Sequence, residues 1–314
     1  MKKLTTSTGF PVSRLCFGTM QFGGQTSLNE SNRIYQKCRT SGINFFDTAH
    51  VYNEGRSEEF LGSVSLSERD NIVIATKAAY DCNATKKNIL KSFDESRTRL
   101  KTDFIDILYM HRWDSKVPIV ETIQCLTELR EKGLIRYIGV SNYAAWQVMK
   151  ANKIATNLGA SIDVIQPMYS LVKRQAEVEL LPMSNEEKIA VCSYSPLGGG
   201  LLTGKYVNKD IAGRLTNDNR YKQRYSLEWM HRTAEKLLIL SKASGISPAT
   251  LAIAWVSKNP NITAPIISAK TIDQLQPSLD VLNYKISEEL YNKMTRLSVS
   301  PAPATDRLEE TDIT

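Results

Sequence analysis

Apolar runs in this chain end, one after another, in a polar residue, and the intervals between those residues are nearly constant. Asp47, Lys77, His111, Ser141 with Asn142, Gln166 and Tyr194 close successive runs at gaps of 30, 34, 30, 25 and 28 residues. A strand, a helix and their connections occupy roughly 30 residues, so each gap is one βα unit. The runs cover residues 14–20, 45–46, 72–77, 104–111, 136–142, 163–166, 189–195 and 262–268. They are short, apolar on both faces and rich in Ile and Val, as parallel strands covered by helices are. Helices are expected between them over residues 29–40, 57–66, 86–100, 118–132, 144–158, 175–187 and 227–243, with another starting at Ser247-Pro248. Eight such units call for an α/β fold of the closed (β/α)8 TIM barrel type. Residues 2–12, turning at Ser7-Thr8-Gly9, read as an N-terminal β-hairpin ahead of the barrel, and extra helices follow near the C-terminus. Residues 1–299 are expected to form one domain, and residues 300–314, with two prolines and four carboxylates, a flexible tail.

In a closed barrel the C-terminal strand ends converge on one mouth, so these polar residues become neighbours. A Lys and a His emerging from apolar strands each cost desolvation unless they find partners there. Just after the second run, Asp47 and Tyr52 bring an acid and a phenol together ahead of the turn-forming Asn53-Glu54-Gly55. A tyrosine with a pKa near ~10 needs charged neighbours to act as an acid near neutrality. Taken alone, the pair also suits a turn cap and a packing residue. Residues 197–226 are expected to be a loop carrying Lys205, Lys209, Arg214, Arg220, Lys222 and Arg224 against Asp210 and Asp218. Such a loop is either a clamp for a phosphate-bearing ligand or a solvated surface.

Composition narrows the function. No apolar run approaches the ~18 residues of a membrane span, and the first residues lack the apolar core of a signal peptide, so a cytoplasmic protein without membrane insertion is expected. The five cysteines form no Cys-x-x-Cys and the three histidines have no metal-ligand spacing, which points to reduced thiols and no metal site. A net charge of +7 permits an anionic ligand, and no nucleic-acid partner is expected. Gly199 to Lys205 nearly spells a P-loop, but Tyr206 stands where a Ser or Thr must bind magnesium. Tyr169 and Lys173 have the spacing of short-chain dehydrogenases, yet no Gly-x-Gly-x-x-Gly follows any strand, so a dinucleotide would not bind here in the Rossmann manner.

Six motifs in order, Phe17-Gly18-Thr19-Met20, Asp47-Thr48-Ala49 with Tyr52, Ala75-Thr76-Lys77, Asp106 to His111, Gly139-Val140-Ser141-Asn142, and Ser195-Pro196-Leu197 running into Gly204-Lys205-Tyr206, resemble the aldo-keto reductase superfamily. The resemblance runs from the hairpin to about Leu297. It implies an NAD(P)H-dependent oxidoreductase reducing a small-molecule aldehyde or ketone, with Asp47, Tyr52, Lys77 and His111 as its catalytic residues. Tyr52 would donate the proton, Lys77 would lower the tyrosine pKa, Asp47 would hold Lys77, and His111 would bond the carbonyl oxygen. For the cofactor it implies Ser141, Asn142 and Gln166 on the carboxamide, Tyr194 stacked on the nicotinamide, Thr19 and Met20 along the ribose, and Leu197, Gly198 and Lys205 at the pyrophosphate. Gln166 also suits a barrel-interior hydrogen bonder, and Tyr194 a core residue. At the adenosine end the chain departs from its relatives, reading Ser268-Ala269-Lys270 before Thr271 and Gln274. Lys270 and the helix start would share a 2′-phosphate, favouring NADPH over NADH; Gln274 then either contacts it or only caps, and Pro277 is expected to disturb that helix. Gln21, Phe22, Tyr80, Trp113 and Tyr143 follow strand ends and read as an aromatic-walled substrate pocket. Two other functions fit the same motifs: a redox-sensing subunit resembling potassium-channel β subunits, and a sugar or polyol dehydrogenase working in the oxidative direction. The oligomeric state is left open.

Overall fold

The computed structural model describes residues 3–80, 83–207 and 211–310; Lys2, Cys82, Lys209, Asp210 and residues 311–314 lie outside them. Eight short strands, β1 (Cys16–Gly18), β2 (Phe45–Asp47), β3 (Val73–Ala78), β4 (Ile105–Met110), β5 (Ile135–Ser141), β6 (Val164–Gln166), β7 (Ala190–Val191) and β8 (Ile266–Ile267), pair in parallel in the order β7-β6-β5-β4-β3-β2-β1-β8. The two ends meet: Thr263 N–H donates to Val191 O and Ile266 N–H to Ser193 O, both at 2.8 Å, and Tyr194 bridges Ile266. The sheet is therefore a barrel without a free edge.

The period of two along each strand decides what reaches the mouth. Phe45, Val73, Ala75, Ile107, Tyr109, Val164 and Cys192 fill the barrel interior, while Phe46, Ile74, Leu108, Ile165 and Val191 pack outward under the helices. Asp47, Lys77, His111, Gln166 and Tyr194 each lie two residues beyond an interior residue, so the same alternation turns them inward at the C-terminal end. At the other end the hairpin is a plug. It holds one antiparallel bridge, Thr5 to Pro11, buries Leu4 against the interior, and is tied to β5 by Arg136, whose guanidinium donates to Thr5 O at 2.8 Å and Thr6 O at 3.0 Å. Pro11 has no N–H, which keeps the ladder this short.

The helices are α1 (Leu28–Thr40), α2 (Arg56–Ser65), α3 (Lys86–Leu100), α4 (Ile119–Glu131), α5 (Ala145–Asn157), α6 (Leu180–Glu186), α7 (Arg214–Asn217), α8 (Asn219–Arg224), α9 (Glu228–Ser244), α10 (Pro248–Lys258), α11 (Ile272–Leu279) and α12 (Glu288–Thr295). The cap read at Ser247 is present, its hydroxyl accepting from Thr250 N–H at 3.0 Å with Pro248 in the first turn. Four expectations are corrected. Residues 175–187 form a 3-10 turn, Gln175–Glu177, and then α6, because the Pro182 ring excludes a continuous helix through the carbonyl four residues back. Strands β7 and β8 are two residues each; past β7 the backbone still bonds the β6 side through Cys192 N–H to Ile165 O and Tyr194 N–H to Pro167 O, both at 2.9 Å, and β8 starts directly after Pro265, which has no N–H to donate. The stretch 197–226 contains a 3-10 segment, Gly198–Thr203, as well as α7 and α8. Helix α11 continues two residues past Pro277, whose carbonyl accepts from Thr250 Oγ1 at 2.7 Å.

Candidate active site at the barrel mouth

Lys77 is 1% exposed, so its charge needs partners, and it has three. Its Nζ donates to Asp47 Oδ1 at 2.5 Å and Thr48 O at 2.7 Å, and lies 3.5 Å from the Tyr52 hydroxyl. The other Asp47 oxygen accepts from Gln166 Nε2 at 2.8 Å. Burial opposes the lysine charge, but Asp47 and Tyr52 outweigh it and hold Lys77 above its ordinary pKa. Burial pushes the Asp47 carboxyl up while Lys77 and Gln166 pull it back. For Tyr52 the outcome reverses the sequence expectation: burial raises its pKa by more than Lys77 lowers it, so the phenol keeps its proton at neutral pH.

Tyr52 opens a turn whose next three residues, Asn53, Glu54 and Gly55, all have left-handed backbone, with φ of 50°, 59° and 90°. Left-handed backbone costs a non-glycine residue about 1 kcal/mol or more, so the turn must be held from outside. Asn53 Nδ2 donates to Met20 O at 2.8 Å and Phe22 O at 2.7 Å, pinning it to the loop after β1. Arg99, in the last turn of α3, packs its guanidinium where a Gly55 side chain would stand and donates to His50 O at 3.1 Å. It also pairs with the fully buried Glu58 at 3.3 Å, which accepts from Thr76 Oγ1 at 2.6 Å beside Lys77. Asn53 was legible only as a turn former. Nothing in the sequence signals Arg99 or Glu58, because their role arises from helix packing.

The His111 ring meets the Tyr52 ring edge-on at 6.0 Å and the Tyr80 ring at 4.7 Å. Its Nδ1 is buried without a partner among the described residues. A buried lone pair is tolerated better than a buried N–H, which assigns the ring proton to Nε2. Burial, helped by the Lys77 and Arg112 charges, brings the His111 pKa down to about 3, so the ring is neutral at physiological pH. Because the unfolded value is near 6.5, the unfolded chain binds more protons between those limits. The stability linked to His111 is therefore complete above ~6.5 and lost as pH falls toward 3. Urea unfolding at about pH 5 and pH 7 is expected to show roughly 2 kcal/mol more acid sensitivity in the wild type than in His111→Gln. Equal sensitivity would show that His111 titrates normally in the fold.

On the next sector, Asn142 Nδ2 donates to His111 O at 2.9 Å and Ser141 Oγ at 3.1 Å, while its Oδ1 accepts from the Tyr194 hydroxyl at 2.7 Å. Ser141 Oγ donates to Gln166 O at 2.9 Å. The mouth thus brings Asp47, Tyr52, Lys77, His111, Ser141, Asn142, Gln166, Tyr194 and Tyr80 into one connected group. Thr19 is buried beneath it, its hydroxyl bonded to Asp47 O at 3.1 Å and Ser57 Oγ at 2.9 Å. Met20 is half-exposed at the rim and Gln21 is buried. Phe22 does not face the mouth. It is fully buried with its ring 5.7 Å from that of Phe17, in the layer between sheet and helices, and leaves the pocket set. Trp113 and Tyr143 meet edge-on at 5.2 Å, and Trp146, which the sequence reading passed over, stands 5.5 Å from Trp113.

Beyond β7 and β8 the residues suit a phosphate-rich ligand. Leu197 precedes Gly198, Gly199 and Gly200, all left-handed at φ of 57°, 67° and 99°, a tight turn in which Gly198 N–H donates to Ser195 O at 2.9 Å and Gly200 N–H to Leu197 O at 3.0 Å. A Cβ on Gly199 would reach within 2.9 Å of the Tyr221 ring. Lys270 is lowered by burial and by the charges of Arg214 and Lys205, and none of the three has an ion-pair partner among the described residues. Gln274 does cap, its Oε1 accepting from Lys270 N–H at 3.2 Å, and the Ser268 side chain is exposed after β8.

An eight-stranded α/β barrel with a buried Lys–Asp pair, a tyrosine and a neutral histidine converging at its C-terminal mouth has the frame of an oxidoreductase acting on carbonyl groups. The Aldo/keto reductase family model matches residues 14–299, and the chain belongs to that family. It is 35% identical over 300 residues to a probable voltage-gated potassium channel subunit beta of Arabidopsis thaliana, covering 88% of this chain and 89% of that one. It is 34% identical over 320 residues to the uncharacterized oxidoreductase YrpG of Bacillus subtilis (strain 168), covering 95% and 96%. It is 30% identical over 315 residues to norsolorinic acid reductase B of Aspergillus parasiticus, covering 93% and 82%. The protein is thus a carbonyl-reducing oxidoreductase of a family that generally uses NAD(P)H. Among the described residues no single helix is long and apolar enough to cross a membrane.

Proposed function

We propose that the chain reduces an aldehyde or ketone to the alcohol with NADPH, Tyr52 supplying the proton. The observation that carries this reading is the single buried ammonium of Lys77 shared between the buried Asp47 and the hydroxyl of the partly exposed Tyr52. The nicotinamide, when bound, supplies the hydride to the carbonyl carbon. Tyr52 gives its proton to the carbonyl oxygen as the C=O bond becomes C–O–H, and Lys77 steadies the phenolate left behind. His111 directs its Nε2–H at the same oxygen, a donor matched to the charge that develops there. Ser141, Asn142 and Gln166 would hold the carboxamide and Tyr194 the ring face. Thr19 and Met20 would border the ribose, and Leu197, Gly198 and Lys205 would take the pyrophosphate.

The clustered cations Lys205, Arg214 and Lys270 support a dinucleotide, and Lys270 with its capped helix start supports NADPH over NADH, with Ser268 and Gln274 beside it. Lys270→Ala is expected to raise the NADPH dissociation constant roughly 10-fold and that of NADH less than about 2-fold, measured by fluorescence titration. Equal effects would remove the 2′-phosphate role. The buried free cysteines Cys16, Cys38, Cys125 and Cys192 support a reducing compartment, and we place the protein in the cytoplasm. The name of the Arabidopsis thaliana relative favours a second reading, a cofactor-binding subunit that senses redox state for a channel. That role calls for a tetramer, and a monomeric mass by light scattering would exclude it.

A further inference from the structure

Arg112 follows His111 directly, and its guanidinium stands 4.9 Å over the Tyr80 ring, which in turn touches the His111 ring. It is exposed and has no ion pair among the described residues. Asp114, two positions on, is spent on the backbone N–H groups of Ala84 and Lys116, each at 2.9 Å. The cation therefore sits at the rim over an aromatic face, within electrostatic reach of the Asp114 carboxylate but without a direct ion pair to it, so its hydrogen-bonding fork is not committed to a carboxylate. Cofactor phosphates do not explain it. In the strand order β4 lies four steps from β8, so Arg112 after β4 stands across the barrel from Lys270 after β8. Helix α8 adds a second cation on this sector: Arg220, already paired with Asp218 at 3.0 Å, lies within electrostatic reach of Tyr80.

Resting on the reductase reading above, we propose that the substrate is an aromatic carbonyl compound carrying a carboxylate about one ring's length from the reacting carbonyl, with Arg112 as the residue that receives the carboxylate. The planar guanidinium matches a carboxylate with two parallel hydrogen bonds, and Tyr80 and Trp113 flank the ring between. Arg112 thereby selects among carbonyl compounds without touching the reacting atoms.

The test compares kcat/KM for 4-carboxybenzaldehyde and its methyl ester, which has a similar shape but a more electrophilic carbonyl, so that the change in their ratio between the wild type and Arg112→Gln, both with NADPH, is what is read. The acid-to-ester ratio is expected to fall roughly 3- to 10-fold from wild type to Arg112→Gln at low salt, and the difference between the two proteins to shrink in about 0.5 M NaCl. An acid-to-ester ratio that is unchanged in Arg112→Gln overturns the proposal. A readout independent of turnover separates this from failure of the reductase reading. Terephthalate should quench the fluorescence of Trp113 and Trp146 with a Kd that rises by the same factor in Arg112→Gln. Failure to turn over the ester would refute the reductase reading; terephthalate binding equally tight in the variant would refute the carboxylate subsite whatever the turnover.

Discussion

Tyr52→Phe lowers kcat for aldehyde reduction by about 10²- to 10⁴-fold while the fold is retained. The range is that of a positioned general acid, and the substitution removes only the hydroxyl. That hydroxyl has one hydrogen-bond partner among the described residues, Lys77 at 3.5 Å, so its loss leaves the Lys77–Asp47 pair intact. The ring keeps its edge contact with His111. Circular dichroism and the urea midpoint should therefore match the wild type closely. A variant retaining more than about a tenth of the wild-type kcat would assign proton delivery to another group.

Lys77→Met has the largest expected effect on stability. Asp47 is 3% exposed, and without Lys77 its charge would keep Gln166 as its side-chain donor. Breaking a buried pair by removing one partner costs about 3–5 kcal/mol, mostly because the remaining charge is left uncompensated. The double variant Asp47→Asn with Lys77→Met removes both charges and should recover most of that loss in urea unfolding, yet recover no activity. Stability that stays low in the double variant would mean that the Lys77 contact with Thr48 O, at 2.7 Å, rather than the charge pair, holds the strand ends together.

The barrel and its mouth were legible because one rule generates both. An inward residue in a parallel strand recurs every second position, so Lys77 beyond Ala75 and His111 beyond Tyr109 announce themselves as polar groups ending buried runs. The rule weakened where strands are short. Before Tyr194 and Ser268 the regular strands are only two residues each, shorter than the apolar runs 189–195 and 262–268 that hold them. Pairwise chemistry at Tyr52 was legible but its sign was not, because a lysine beside a tyrosine lowers the pKa only if burial does not dominate, and burial depth is a property of the packed mouth. Phe22 illustrates the same limit from the other side: its place after a strand end suggested the pocket, and its ring packs on Phe17 instead. The Arg99–Glu58 anchor under the Tyr52 turn had no local signal at all, since it joins the end of α3 to the start of α2.

The most direct test of the reductase reading is to supply NADPH deuterated at the transferable position together with methyl 4-formylbenzoate and to weigh the alcohol formed. Wild-type protein should give the alcohol with one deuterium on its carbinol carbon, and Tyr52→Phe should give almost none in the same time. Absence of alcohol from wild-type protein with bound cofactor, or an alcohol that carries no deuterium, would contradict the assignment of this barrel mouth as a hydride-transfer site.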